Sequence, residues 1–313
     1  MPTCAARCLF WLKASRFEFL TGSFAPVLVG GSVAWWETGS APAHFHWGLW
    51  LLTLLGLMLL HSGANLANDY FDHLTGNDEI NRTFLRPFTG GSRVIQQGLA
   101  TPRQVLAAAL LCFAAGSAVG LYLVYVCGWP LLALGAVGVF LGFFYTAPPF
   151  AFVYRGLGEL CIALDFGVLP VLGAYYVQTG HFSLPALLAS LPVALLITAI
   201  LFINQFPDYV ADRAVGKRHW VVRLGTRRSA TVYAVGMVAV YVIGIGSVLA
   251  RQLPPLTLLP LLTVPLAVRG IKTAFAEHDH PASLLPANAA TVMTHLAVAV
   301  LLSLGLILDK LLQ

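Results

Sequence analysis

Charge is what this chain has least of. Lys, Arg, Asp and Glu together make up 10% of its 313 residues, where a soluble globular domain carries about 25%. That scarcity excludes a soluble fold. With 58% hydrophobic residues and a mean hydropathy of +0.80, it leaves a polytopic membrane protein. Cysteine is sparse as well. Cys4, Cys8, Cys112, Cys127 and Cys161 form no CxxC pair or other ligand spacing. This argues against a cysteine metal site, and the three in or beside apolar runs read as small core residues. Cys4 and Cys8 are the two left for lipidation or redox reactivity. Pro2 stands where myristoylation needs glycine, and no C-terminal prenylation signal is present. No small-residue cleavage site follows the basic Arg7, Lys13 and Arg16, so the first span reads as uncleaved.

Long apolar runs are what the chain does have. The sequence predicts an all-α membrane bundle of nine transmembrane helices, a single domain over 1–313. The expected spans are 18–37, 47–68, 104–126, 129–147, 158–178, 184–206, 229–250, 254–272 and 287–308, each near the ~20 residues a bilayer demands. The eighth is the weakest, because Pro254, Pro255, Pro260 and Pro265 interrupt it. With the N-terminus placed in the cytoplasm and the C-terminus outside, sixteen of the eighteen Lys and Arg fall on the cytoplasmic side; only Arg251 and Lys310 fall outside. This is the positive-inside bias. It accounts for the formal charge of +5 without nucleic acid. The two long polar loops, 69–103 and 207–228, are then both cytoplasmic and face the chemistry inward.

Each loop opens on a ladder of carboxylates and carboxamides. In Asn65-Leu-Ala-Asn68-Asp69-Tyr-Phe-Asp72, Asn65 and Asp69 are four apart, as are Asn68 and Asp72. In the second stretch Asn204, Asp208 and Asp212 are each four apart. If the helices continue through them, each set gathers on one side. Hard oxygen donors of this kind suit Mg²⁺, which binds through a few carboxylates plus substrate phosphates; the absence of His and Cys argues against zinc or copper. Arg82, Arg86, Arg93, Lys217 and Arg218 lie beside the acids. Acids that hold Mg²⁺ and bases that hold phosphate oxygens make a diphosphate site. A single such ladder reads as a solvated helix end; two, on one side of the membrane and both flanked by bases, read as one site.

These two signatures, Asn68-Asp69-Tyr-Phe-Asp72 and Asn204-x-x-x-Asp208-x-x-x-Asp212 followed by Gly216-Lys217, resemble the UbiA superfamily of intramembrane aromatic prenyltransferases. The likeness spans essentially the whole chain. It implies a helical bundle around a central cavity, a lateral opening to lipid, two Mg²⁺ ions and a polyprenyl diphosphate. Ala25–Gly30, Asn65–Tyr70, Thr89–Val94, Gly156–Glu159, Tyr175–Gly180 and Val222–Gly225 most resemble the branch that prenylates 1,4-dihydroxy-2-naphthoate in menaquinone synthesis. Gly76, where the 4-hydroxybenzoate branch has Asp, points the same way. Asn204-Gln-Phe-Pro-Asp208 departs from the Asn-Asn-x-Arg-Asp usual there, and His219-Trp220 replace Thr-Leu. These departures keep 4-hydroxybenzoate, homogentisate and a glycerol-phosphate lipid open as acceptors.

The resulting assignment gives the metal to Asn68, Asp69, Asp72, Asn204, Asp208 and Asp212, and the diphosphate to Lys217, Arg82, Arg86 and Arg93. Asp72, Asp208, Asp212 and Tyr145 are the expected catalytic groups. Arg16 and Asn65 are assigned to the aromatic acceptor. Tyr145 and Arg16 have plainer readings, as an interfacial tyrosine and a topology charge. Glu159 is expected to complement a helix dipole; Asp165, mid-span, is either paired or functional, with pairing the favoured reading; and His295 is expected to bond a neighbouring helix rather than act as a ligand. Trp35, Trp36, Trp47 and Trp50 read mainly as lipid belt. Two other classes remain. A cation-coupled transporter would place its acids at the midplane rather than at helix ends. A membrane scaffold would not need paired ladders. The expected location is a bacterial inner membrane, with the site facing the cytoplasm; oligomeric state and prenyl length are not encoded in any local pattern.

Overall fold

The computed structural model describes residues 10–38 and 45–313. Cys4, Cys8 and Arg7 lie outside them. Every long element described is a helix: α1 Thr21–Thr38, α2 Trp47–Leu74, α3 Pro102–Cys127, α4 Pro130–Phe144, α5 Gly158–Thr179, α6 Leu184–Ala214, α7 Thr226–Leu249, α8 Pro255–Glu277 and α9 Pro281–Leu312. Seven of these are long and apolar enough to cross a membrane; α1, with 18 residues, and α4, with 15, stand outside that set. The chain is an integral membrane protein.

Local sequence explains the boundaries. Thr101 and Gln104 form a reciprocal capping box at α3, with Pro102 at the first helical position, where its missing N–H costs nothing. Ser183 caps α6 by accepting from the Ala186 N–H at 3.2 Å. The prolines of the eighth span leave their mark: α8 begins as a 3₁₀ stretch, Pro255–Thr263, and becomes regular only from Val264.

Two boundaries move in a way that matters. α2 runs to Leu74 and α6 to Ala214, so the openings of the segments expected as loops, 69–103 and 207–228, are helical. Asp69, Asp72, Asp208 and Asp212 therefore ride on rigid helix ends. The polar side chains sustain these last turns themselves. The Asn68 amide donates to Asp72 Oδ2 at 3.1 Å across one turn.

Among the described residues the helices pack through four apolar clusters, of which two are the largest. One joins α6, α7, α8 and α9 around Ile203, Phe206 and Met237. The other joins α1, α5, α6 and α9 around Val29, Val171 and Tyr175. Lipid offers no hydrophobic drive between helices, so close approach of small residues takes over. At Gly30 a Cβ would stand 2.3 Å from the Val171 carbonyl oxygen, so α1 and α5 touch backbone to backbone. The belt reading of the tryptophans is only partly right. Trp47 is largely exposed, but Trp50 donates to the Val27 carbonyl at 3.1 Å and Trp36 to Asp309 at 3.0 Å, tying α1 to its neighbours.

The contact at Gly30 makes a test. Gly30→Ala forces backbone apart, a strain of about 1–3 kcal/mol. It is expected to lower the apparent Tm in detergent by several degrees, whereas Gly120→Ala, which meets nothing within 4 Å, leaves it unchanged.

Candidate active site

The two acidic helix ends meet. α2 and α6 bring Asn65, Asn68 and Asp72 from one side, and Asn204, Asp208 and Asp212 from the other, to the wall of one cavity of about 230 Å³. Arg16, Tyr145 and Lys217 line it too. Below this polar end the walls turn apolar, with Ile162, Ile197 and Ile200.

Lys217 joins the ladders. Its buried ammonium lies 3.0 Å from Asp72 and 3.2 Å from Asp212. Burial alone would drive its proton off. The carboxylates of Asp212 and Asp72 outweigh that and hold its pKa well above the ordinary value. It reaches this place because the turn after α6 closes tightly, with Gly216 at φ 82° and the Lys217 N–H bonded to the Asp212 carbonyl at 2.9 Å.

Neutral donors complete the arrangement. The helical turn Asn77–Ile80 follows α2. Asn77 donates to Asp212 Oδ1 at 3.0 Å and Asn81 to Asp208 Oδ1 at 2.7 Å. His219 Nδ1 accepts from the Val222 N–H at 3.3 Å, which leaves Nε2 protonated to donate to Asp212 Oδ2 at 3.0 Å. Asn288 on α9 donates to Asn204 Oδ1 at 2.7 Å. Each loop thus stitches itself to the other ladder. Asn77 and Asn81 repeat the four-residue spacing of the ladders, a signal that the sequence contains. His219 and Asn288 carry no comparable local signal.

The remaining assigned residues divide. Asp69 is buried but does not line the cavity: it pairs with Arg16 and receives the Ser92 hydroxyl, and the Ser92 N–H lies 3.2 Å away. Arg16 also donates to Asn68 Oδ1 at 2.9 Å. Burial works against its charge, but Asp69 more than compensates. Asn65 donates to the Ser15 carbonyl at 3.0 Å. The three arginines of the first loop do not line the cavity. Arg82 is exposed. Arg86 donates to the Gly91 carbonyl at 2.9 Å. Arg86 and Arg93 both lie over the Phe84 ring, at 5.4 and 4.6 Å. They brace the segment Phe88–Gly91 that walls the cavity mouth.

Three expectations need correcting. Glu159 does more than offset a dipole: fully buried, it accepts from Gln205 at 3.3 Å and from the Trp220 N–H at 2.8 Å, fastening the loop after α6 to the start of α5. Asp165 is not paired among the described residues; its Oδ1 has no partner there. The Nε2 of His295 likewise finds none on a neighbouring helix, and the side chain borders the cavity instead.

Among the described residues no three of His, Cys, Asp and Glu converge closely enough to hold a metal alone. The donor set nonetheless fits Mg²⁺, whose shell is completed by water and substrate phosphate. Asp72 and Asp212 already share one cation, the ammonium between them.

A family model described as the UbiA prenyltransferase family matches residues 23–292. The chain is 32% identical, over 97% of both sequences, to the 1,4-dihydroxy-2-naphthoate octaprenyltransferase of Escherichia coli. It is 31% identical, over 97% of this chain and 94% of the other, to the 2-carboxy-1,4-naphthoquinone phytyltransferase of Synechocystis sp.. Among solved structures, a UbiA homolog from Archaeoglobus fulgidus bound to GPP and Mg²⁺ superimposes with a TM-score of 0.60 at 14% identity, over 94% of this chain and 99% of that one.

Asp78 supplies a pH test. Burial, then the neighbouring Asp72 and Asp69 carboxylates, push its pKa up to about 7. A carboxyl with a raised folded pKa contributes stability at low pH that is lost as pH rises toward 7. In EDTA-treated protein, Asp78→Asn is expected to raise the apparent Tm more at pH 8 than at pH 5; an equal effect at both would contradict the assignment.

Proposed function

The chain belongs to the UbiA prenyltransferase family, and from that premise we propose that it transfers a polyprenyl group from a polyprenyl diphosphate to 1,4-dihydroxy-2-naphthoate in quinone biosynthesis. It is a prenyltransferase of the membrane. The observation that carries the site is the meeting of both ladders, with Lys217 between them, on one cavity that is polar at one end and apolar below. The naphthoate is supported by relatives of bacterial origin that span nearly the whole chain and are named for it. We further propose nine spans in a single domain, the N-terminus and site facing the cytoplasm of a bacterial inner membrane, and the C-terminus outside.

Asp72, Asp208 and Asp212, with Asn68 and Asn204, would hold two Mg²⁺ ions, whose bound charge would neutralise the diphosphate as a leaving group. Asp69 belongs to this set at one remove, since it anchors Arg16, which grips Asn68. Lys217 is placed to donate to diphosphate oxygens once its carboxylate partners engage other charges. Arg86 and Arg93 act on the diphosphate by bracing Phe88–Gly91, and exposed Arg82 by drawing the anion to the mouth. The carbon–oxygen bond to diphosphate breaks, leaving an allylic cation. Tyr145 lines the cavity, and its ring can favour that cation by about 0.5–2 kcal/mol. The electron-rich ring of the acceptor forms the new carbon–carbon bond, and its carboxylate leaves as carbon dioxide. Arg16, with Asn65 holding the turn beneath it through Ser15, receives that carboxylate beforehand.

Purified protein with Mg²⁺, radiolabelled polyprenyl diphosphate and the naphthoate should form prenylated product. EDTA should abolish turnover, and Asp72→Ala should lower it at least about 100-fold, the scale of losing a preorganised electrostatic group. Turnover without divalent metal, or by Asp72→Ala at the wild-type rate, would contradict the reading.

A further inference from the structure

Asp165 is an acid that the reaction above leaves unused. It lies two turns into α5, only 9% exposed, where the helix widens into a π-turn over Leu164–Val168. Such turns re-aim side chains and recur at functional sites. The opposite side of the turn is pressed onto α6: a Cβ on Gly167 would stand 2.4 Å from Ala194. Asp165 points the other way, to α4, where two glycines make room. A Cβ on Gly138 or Gly142 would come 3.5 or 3.4 Å from its carboxylate oxygens.

A carboxyl at this depth with Oδ1 unsatisfied is costly unless something donates to it. It borders the cavity that holds the ladders, and also a second, mainly apolar groove of about 140 Å³ between α2, α3, α4 and α5. Gly142 and Gly138 precede Tyr145 by three and seven residues, so Asp165 stands about 5–10 Å along the helix from the level of Tyr145, on the side away from the ladders. Of the two substrates, the prenyl chain is hydrocarbon and has no donor to offer. The acceptor has ring hydroxyls.

We propose that Asp165 binds the aromatic acceptor, accepting a hydrogen bond from a ring hydroxyl, and that it selects hydroxylated rings on this side of the diphosphate. This rests on the reading of the acceptor given above. The two ends of the acceptor meet different groups: its carboxylate is drawn to Arg16, which lines the same cavity, and its remote hydroxyl reaches Asp165, so the ends are told apart.

The test compares wild type, Asp165→Asn and Asp165→Leu on 1,4-dihydroxy-2-naphthoate and on 1-hydroxy-2-naphthoate, which lacks the hydroxyl remote from the carboxylate. Asp165→Leu should raise KM for the dihydroxy acceptor by about 5- to 100-fold, the range for leaving a buried hydroxyl without its partner. KM for the prenyl diphosphate should stay within about two-fold, since no contact to it is lost. The wild-type preference for the dihydroxy ring should shrink by a similar factor in Asp165→Leu. Asp165→Asn, which preserves shape and an acceptor oxygen, should fall between, and it decides the matter if the leucine variant does not fold. An unchanged acceptor KM, a preference that survives in the variants, or a rise confined to the prenyl diphosphate KM would overturn the proposal. If wild type and variants alike prenylate neither naphthoate while accepting another aromatic ring, the acceptor named above is wrong, and the same comparison on that ring with and without its hydroxyl decides Asp165.

Discussion

The structure depends on one electrostatic demand: carboxylates on two helix ends that face each other at the membrane edge must be given positive charge or hydrogen-bond donors. Unpaired, they would repel and each would lose its hydration. The chain answers with Lys217 between Asp72 and Asp212, and with Asn77 and His219 on Asp212 and Asn81 on Asp208. Every one of these partners arrives from a segment that follows a ladder. The two polar loops are therefore held down by the same contacts that make the site. The apolar bundle sets the helix ends at the right separation, and Glu159, bonded to Gln205 and Trp220, fixes the second loop from behind.

The same demand is useful chemically. A cluster of acids satisfied by an ammonium and amides is preorganised for cations of higher charge and for the anion that accompanies them. In the proposed reaction Lys217 is released toward that anion as its carboxylates take other partners. The cavity below is apolar, which suits a hydrocarbon chain, and its polar interruptions are few. Asp165 and His295 are two of them, with Oδ1 and Nε2 unpartnered.

Much of this was legible in the sequence where the cause is local. Scarce charge and apolar runs predict the helices, and each expected span overlaps one of α1–α9, though α2 and α6 run on to Leu74 and Ala214. The four-residue spacing of Asn68, Asp72, Asn204, Asp208 and Asp212 predicts one face on each helix, and the positive-inside count puts both on one side. What escaped depends on contacts between distant segments. Asp69 has the same spacing as its neighbours, yet Arg16 and Ser92 draw it out of the cavity. Arg82, Arg86 and Arg93 look like phosphate ligands by composition, yet the Phe84 ring and the Gly91 carbonyl decide where Arg86 and Arg93 lie. Nothing in the run around Asp165 announces that α5 would widen there or that α4 would face it with glycine.

The central claim is that the ladders of α2 and α6 act as one unit. A double-mutant cycle on Asp72→Asn and Asp212→Asn, read as kcat/KM for prenyl transfer, tests it most directly. If the two share cation and diphosphate, each single change removes most of what both provide, and the double variant should be at most about 10-fold worse than the poorer single one. Losses that multiply, as for independent sites, would contradict the account.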